Sequence, residues 1–269
     1  MTGQVPTSVM FTIILVCAIS FLIPLFSAVY LNRMKYAQWY PFFVGCLVML
    51  VFALIFESTI HNIVFSSAIG KSIRNNPWLY GFYGGLMAGL FEETGRLFAF
   101  KTALKNNQKN DANALMYGVG HGGLEMMVLF GVTMISNYIV ASAINGNGDF
   151  NALMQGADAA QMQSVVTTMV QTPAYMYFIG LFERILAFIL QISLSVLVWI
   201  AVVKKGKKYL FPVAIGIHFL VDACAAILSS FNLSVFVIEA VIAVFTVVVA
   251  FYAKKEWEKS CHFNRPLGK

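Results

Sequence analysis

Runs of about 20 mainly apolar residues recur along the chain, each long enough to cross the hydrocarbon core of a bilayer. Seven candidate spans lie at roughly 9–31, 38–60, 77–103, 112–144, 173–203, 209–229 and 233–253. In lipid a backbone finds hydrogen-bond partners only within itself, so such runs are expected as helices. Composition agrees. Of 269 residues, 59% are hydrophobic and 11% charged, which is under half the charged share of an ordinary soluble domain. Mean hydropathy is +0.76. The expected fold is all-α: a single polytopic membrane domain over residues 1–269 with seven transmembrane helices. No soluble domain and no low-complexity segment are read.

Charge sets the expected orientation. The net charge of +6 comes from basic residues in short connections rather than from a stripe, which argues against a nucleic-acid surface. Alternate connections hold Arg33 and Lys35, then Lys101, Lys105 and Lys109, then KKGKK at 204–208, then the tail from Lys254. The intervening ones hold only Lys71 and Arg74, and residues 145–172 have no basic residue. The positive-inside rule then places the N-terminus outside and the C-terminus in the cytoplasm. The first span reads as an uncleaved anchor, because its apolar run is too long for a signal peptide and no basic residue precedes it. Within 145–172, NGNGD is a turn cluster, and the stretch after it reads as either an amphipathic helix on the outer surface or a packed connector. Cys17, Cys46, Cys224 and Cys261 form no CxxC pair, so neither a disulfide framework nor a cysteine metal site is expected.

Against this apolar background the charged residues stand out. Glu57, Glu92, Glu93, Glu125, Glu183, Asp222 and Glu239 fall within or at the ends of spans, with His121, His218, Arg96 and Arg184. A charge at helix centre costs about 2.5–3.5 kcal/mol on insertion scales. Glu57 reads as lying near a span end, and Glu239, nearer the outer end of its span, as a packed or snorkelling residue. Three other spans each carry a pair four residues apart, on one helix face: Glu92 with Arg96, His121 with Glu125, and His218 with Asp222. Counted at 1.5 Å per residue, these groups lie roughly 13–20 Å from the cytoplasmic ends of their spans. Gln191 falls in the same layer, and Glu183 nearer the outer side. A shared level is expected of one buried polar centre rather than of separate structural pairs.

Glycines flank that layer. Gly81, Gly85 and Gly89 follow small-xxx-small spacing, and Gly84, Ala88, Glu92 and Arg96 make a second small-to-polar face. GVGHGG around His121 reads either as close helix packing or as backbone opened for a substrate or water.

Several chemistries suit these residues. Adjacent carboxylates in low dielectric do not both ionise freely; Arg96 would neutralise one and leave the other as a base toward water. The alternative is a salt bridge between helices. His121 and His218, each with an acid one turn away, suit proton transfer or a metal, and His121, Glu125 and His218 are the candidate metal ligands. No HExxH helix is present. Arg184, beside Glu183, reads as structural. Gln191 suits donation to an oxyanion or a bridge between helices.

FEETGR, GHGGLE, the Glu183–Arg184 pair and HFLVD together resemble the YhfC family of intramembrane metalloproteases. That family is similar to the CAAX-type prenyl endopeptidases and to the anterior-pharynx-defective subunit of gamma-secretase. The resemblance covers about residues 80–250. It implies an all-helical fold with a cavity in the membrane and a water-activating glutamate, here Glu92 or Glu93, with Arg96 holding the pair. It also implies a late HxxxN/D motif, matched by His218 and Asp222. The family pattern carries a histidine after the Glu-Arg pair, where this chain has Gln191. Glutamine replaces imidazole neither as a base nor as a usual zinc ligand.

The catalytic candidates are therefore Glu92, Glu93, Arg96, His218 and Asp222. The expected activity is an intramembrane endopeptidase acting on a membrane protein or lipidated peptide, with zinc as the candidate cofactor, in a bacterial plasma membrane. Two other readings stand beside it: a non-catalytic scaffold or chaperone that keeps a protease-like core, and a proton-coupled transporter.

Overall fold

The computed structural model describes residues 3–231 and 233–261. They are helical, with no strand among them. In chain order the longer helices are α1 (Thr7–Lys35), α2 (Trp39–Phe65), α3 (Ala68–Arg74), α4 (Pro77–Lys101), α5 (Ala112–Ile144), α6 (Ala159–Gln171), α7 (Ala174–Val203), α8 (Leu210–Ser229) and α9 (Val235–Ser260), with single helical turns at Lys105–Asn107 and Phe150–Leu153 between them. Six of them, α1, α2, α5, α7, α8 and α9, are long and apolar enough to cross a membrane. Helix α4 has 25 residues but carries Glu92, Glu93 and Arg96, which lower its hydropathy. The chain is an integral membrane protein.

Local signals account for the ends. Pro77 occupies the first turn of α4, where no N–H is needed, and the Asn76 side chain accepts from the N–H groups of Trp78 and Leu79. Helix α6 begins with a capping box: Asp158 accepts from the Gln161 N–H, and the Gln161 side chain accepts from the Asp158 N–H. Two helices widen to π geometry, α2 over Met49–Glu57 and α5 over Met126–Val132.

The chain forms two compact units. One comprises Met1–Ile23 and Glu125–Ile185, the other Pro24–Leu124 and Leu186–Lys269. The first has a core of Val9, Ile13, Val16, Met126, Phe130 and Leu181. Met169 of α6 is buried in that core and Val166 is also buried, while most of that helix stays exposed, so the segment is amphipathic and a packed connector at once.

The second unit has the larger core, with Phe100, Tyr117, Leu194, Leu197, Trp199 and Ile200 nearly or fully enclosed. Its helices approach closely because glycine removes side chains at the crossings. A Cβ at Gly85 would lie 2.5 Å from the Phe219 carbonyl oxygen of α8, and one at Gly120 would lie 2.0 Å from the Phe42 carbonyl oxygen of α2. Of the two readings of GVGHGG, the structure therefore bears out packing: Gly118 and Gly122 abut α7 in the same way. Gly84 differs, since a Cβ there meets nothing within 4 Å.

Candidate functional site

Seven polar residues of the second unit meet at one place. Helix α4 contributes Glu92, Glu93 and Arg96, α5 His121, α7 Gln191, and α8 His218 and Asp222. Glu92 and Glu93 are neighbours, so their side chains leave α4 about 100° apart. Glu92 turns toward α5 and α7, and Glu93 toward α8.

Glu92 Oε2 lies 2.8 Å from His121 Nε2 and accepts a second hydrogen bond, also 2.8 Å, from Gln191 Nε2. The Gln191 amide oxygen accepts from the Arg96 guanidinium. The other arm of that guanidinium bonds Glu93 Oε1. Glu93 Oε1 is also 2.8 Å from His218 Nδ1, and His218 Nε2 lies 3.4 Å from Asp222 Oδ2. One continuous chain thus runs His121–Glu92–Gln191–Arg96–Glu93–His218–Asp222 across four helices. Each amide and guanidinium orientation is forced, because guanidinium only donates and so must meet the amide oxygen, leaving the amide N–H groups for Glu92.

Burial differs between members of the chain. Glu93, Arg96 and His121 are fully enclosed, while the Asp222 side chain is 40% exposed. Glu92 keeps slight exposure, at 9% of its side chain.

The structure re-pairs two of the three same-helix couples read from sequence. Arg96 bonds Glu93, three residues back, rather than Glu92. His121 bonds Glu92 across helices rather than Glu125. His218 and Asp222 keep their contact. Spacings of three and four both place residues on one face, and the neighbouring helices decide which is used. Glu125 lies in the first unit, where Arg184 approaches it at 3.6 Å and also bonds Glu183. Arg184 thus holds two carboxylates, in line with its structural reading.

The candidate metal ligands do not form a set. His121 Nε2 is committed to Glu92, His218 engages Glu93 and Asp222 through its two nitrogens, and Glu125 faces Arg184. Among the described residues, no group of three or more His, Cys, Asp or Glu side chains is arranged to hold an ion. A zinc site ordinarily needs three or four such ligands. These residues do not fit one.

Two clusters escaped the sequence reading. Glu57 is buried: its carboxylate lies 3.1 Å from His61 Nε2, and His61 Nδ1 lies 3.0 Å from the Tyr83 hydroxyl. The Glu57–His61 spacing of four was a readable signal, hidden because His61 falls just past the drawn span. Asp111, in a connection, accepts from Trp199 Nε1 at 2.9 Å and from Lys204 at 3.1 Å. No local signal pointed to that contact, which joins residues 88 positions apart. Glu239 is buried in α9, in keeping with packing rather than snorkelling.

A family profile described as YhfC intramembrane metalloprotease matches residues 19–246. The chain is 38% identical, over 196 residues, to the uncharacterized membrane protein YhfC of Bacillus subtilis (strain 168), an alignment covering 72% of this chain and 74% of that protein. No solved structure matches.

Proposed function

Because this chain belongs to the YhfC intramembrane metalloprotease family, an integral membrane protein of the bacterial plasma membrane, we propose that it is an intramembrane endopeptidase whose water is activated by Glu92. All seven long helices, α4 included, would span the bilayer, with the N-terminus outside and the C-terminus in the cytoplasm, as the basic connections direct. The bilayer is its surroundings, and the substrate is a membrane-protein segment or lipidated peptide unwound near mid-membrane.

The observation that carries this reading is the difference between the two neighbouring glutamates. Glu93 is enclosed and tied to Arg96 and His218, so it is a structural anion. Glu92 is held on one oxygen by His121 and Gln191 and keeps slight exposure. In the proposed step Glu92 takes a proton from water as the water oxygen bonds the peptide carbonyl carbon. The carbonyl electrons move onto oxygen, and His218, oriented by Glu93, donates a hydrogen bond there in place of its loose contact with Asp222. The C–N bond then breaks as Glu92 passes the proton to the leaving amine. Asp222, half exposed at this depth, supports water access from that side, since a carboxylate facing hydrocarbon is costly. No step runs through a metal, because the ligand set does not fit one.

Gln191, standing where the resemblance expects histidine, favours the non-catalytic scaffold as the second reading. Full-length protein reconstituted with a transmembrane peptide separates the two. New peptide termini mapped by mass spectrometry support the protease, and an intact peptide that still binds supports the scaffold.

A further inference from the structure

Away from the polar chain, the second unit holds a cavity of about 770 Å³, within the roughly 300–1,000 Å³ of small-molecule sites. Its apolar walls are Leu115 of α5, Ile192 and Val196 of α7, and Ala250, Ala253 and Trp257 of α9. Ser193 lines it too, but its hydroxyl is turned back to the Ile189 carbonyl, 2.8 Å away, and adds little polarity to the wall. The α9 residues on the cavity, from Ala250 to Glu258, follow a spacing of three and four and cover about 12 Å of one helix face.

That face changes character along its length. Helix α9 is apolar up to Ala253 and charged from Lys254. Such a change marks the level where a membrane helix passes from hydrocarbon to head groups, a level that also favours tryptophan. Lys254 and Glu258 line the cavity at this end. They lie 3.9 Å apart, with side chains 68% and 63% exposed, and an exposed pair of that kind is only weakly joined. Neighbouring charges are more firmly engaged. Glu256 is buried and accepts from Lys207 and Lys259, and Lys204 donates to Asp111. The lining thus offers one cation and one anion, both loosely held, at the mouth of an apolar slot.

We infer that this cavity binds one phospholipid with a phosphoethanolamine head group. One acyl chain lies between α5, α7 and α9, the phosphate accepts from Lys254, and the primary ammonium donates to Glu258. A phosphoglycerol head group brings no cation to the Glu258 carboxylate, and a phosphocholine one brings no N–H to donate. The site shares no residue with the chain around Glu92, and its occupancy is independent of peptide cleavage.

The test is native mass spectrometry of full-length protein, delipidated in detergent, with phosphatidylethanolamine, phosphatidylglycerol and phosphatidylcholine of identical acyl chains. Wild type is expected to hold one phosphatidylethanolamine per chain, about tenfold more tightly than either other lipid, the worth of one charge-assisted hydrogen bond. The double variant Lys254→Gln, Glu258→Gln changes only exposed side chains. It is expected to keep its Tm in lipid-free detergent and to lose that preference. Ala250→Phe, which fills the slot, is expected to lose binding of all three lipids. Equal binding of the three by wild type, as a merely surrounding lipid layer gives, overturns the inference. So does a preference for phosphatidylglycerol, a preference that survives in the double variant, or no binding at all. If Ala250→Phe does not fold, the head-group comparison decides alone.

Discussion

His121 Nε2 and the Glu92 carboxylate, 29 positions apart on different helices, lie 2.8 Å from one another in the protein interior. The contact joins two motifs that read separately in the sequence. It also separates the two adjacent glutamates by surroundings: one reaches imidazole and amide, the other guanidinium and a second imidazole.

That separation predicts unequal effects on stability. Glu93→Gln leaves Arg96 buried without its charge partner, a class of change that costs about 3–5 kcal/mol. Glu92→Gln keeps a polar group between His121 and Gln191 and leaves Arg96 paired with Glu93, so its loss should be smaller. Thermal unfolding in detergent should rank wild type first, Glu92→Gln close behind and Glu93→Gln far below.

The glycines predict opposite signs for one substitution. Gly120→Ala places a methyl 2.0 Å from a backbone oxygen of α2 and forces the helices apart, at about 1–3 kcal/mol or more. Gly84→Ala meets open space and gains helix propensity, about 0.5–1 kcal/mol in favour of folding. Unfolding midpoints of the two variants should fall on either side of wild type.

Cys261 predicts a pH dependence. It follows α9, outside the spans, and burial pushes its thiol up to about 12, with Asp111 adding to the rise. A pKa raised in the folded state means the unfolded chain releases this proton first. The stabilising contribution is therefore complete below the ordinary thiol value of about 8.5 and fades as pH climbs toward about 12. Cys261→Ala should show a shallower alkaline fall in Tm than wild type across that window. Identical slopes would show that the thiol does not contribute.

Much of the fold was legible because membranes leave few choices: apolar runs pointed to the helices, and charged residues within them pointed to a polar centre. Glu92, Glu93, Arg96, Gln191, His218 and Asp222 do meet. What sequence could not supply was rotation. Whether Arg96 turns to the residue three or four positions back, and whether His121 faces its own helix or the next, depends on side chains contributed by α7 and α8. Glu125 shows the same limit: its spacing from His121 was right for a pair, yet its partner is Arg184, 59 positions on. The GVGHGG run was ambiguous because glycine serves packing and exposure alike, and neighbours far along the chain, Phe42 against Gly120 and α7 against Gly118 and Gly122, separate them.

His218 tests the oxyanion role. His218→Ala should lower cleavage about 10²–10³-fold, the usual range for loss of one such donor. An equal loss on His218→Ala and on Asp222→Ala, with unchanged substrate binding, would show that the two act together. A His218→Ala enzyme as fast as wild type would remove it from the mechanism.

The most direct measurement is single-turnover cleavage of a transmembrane peptide by reconstituted wild type and Glu92→Gln, with folding checked by Tm. The account predicts that the variant folds, binds the peptide and cleaves it about 10²–10⁴-fold more slowly, the share expected of a general base. A folded Glu92→Gln protein that cleaves at the wild-type rate would contradict it.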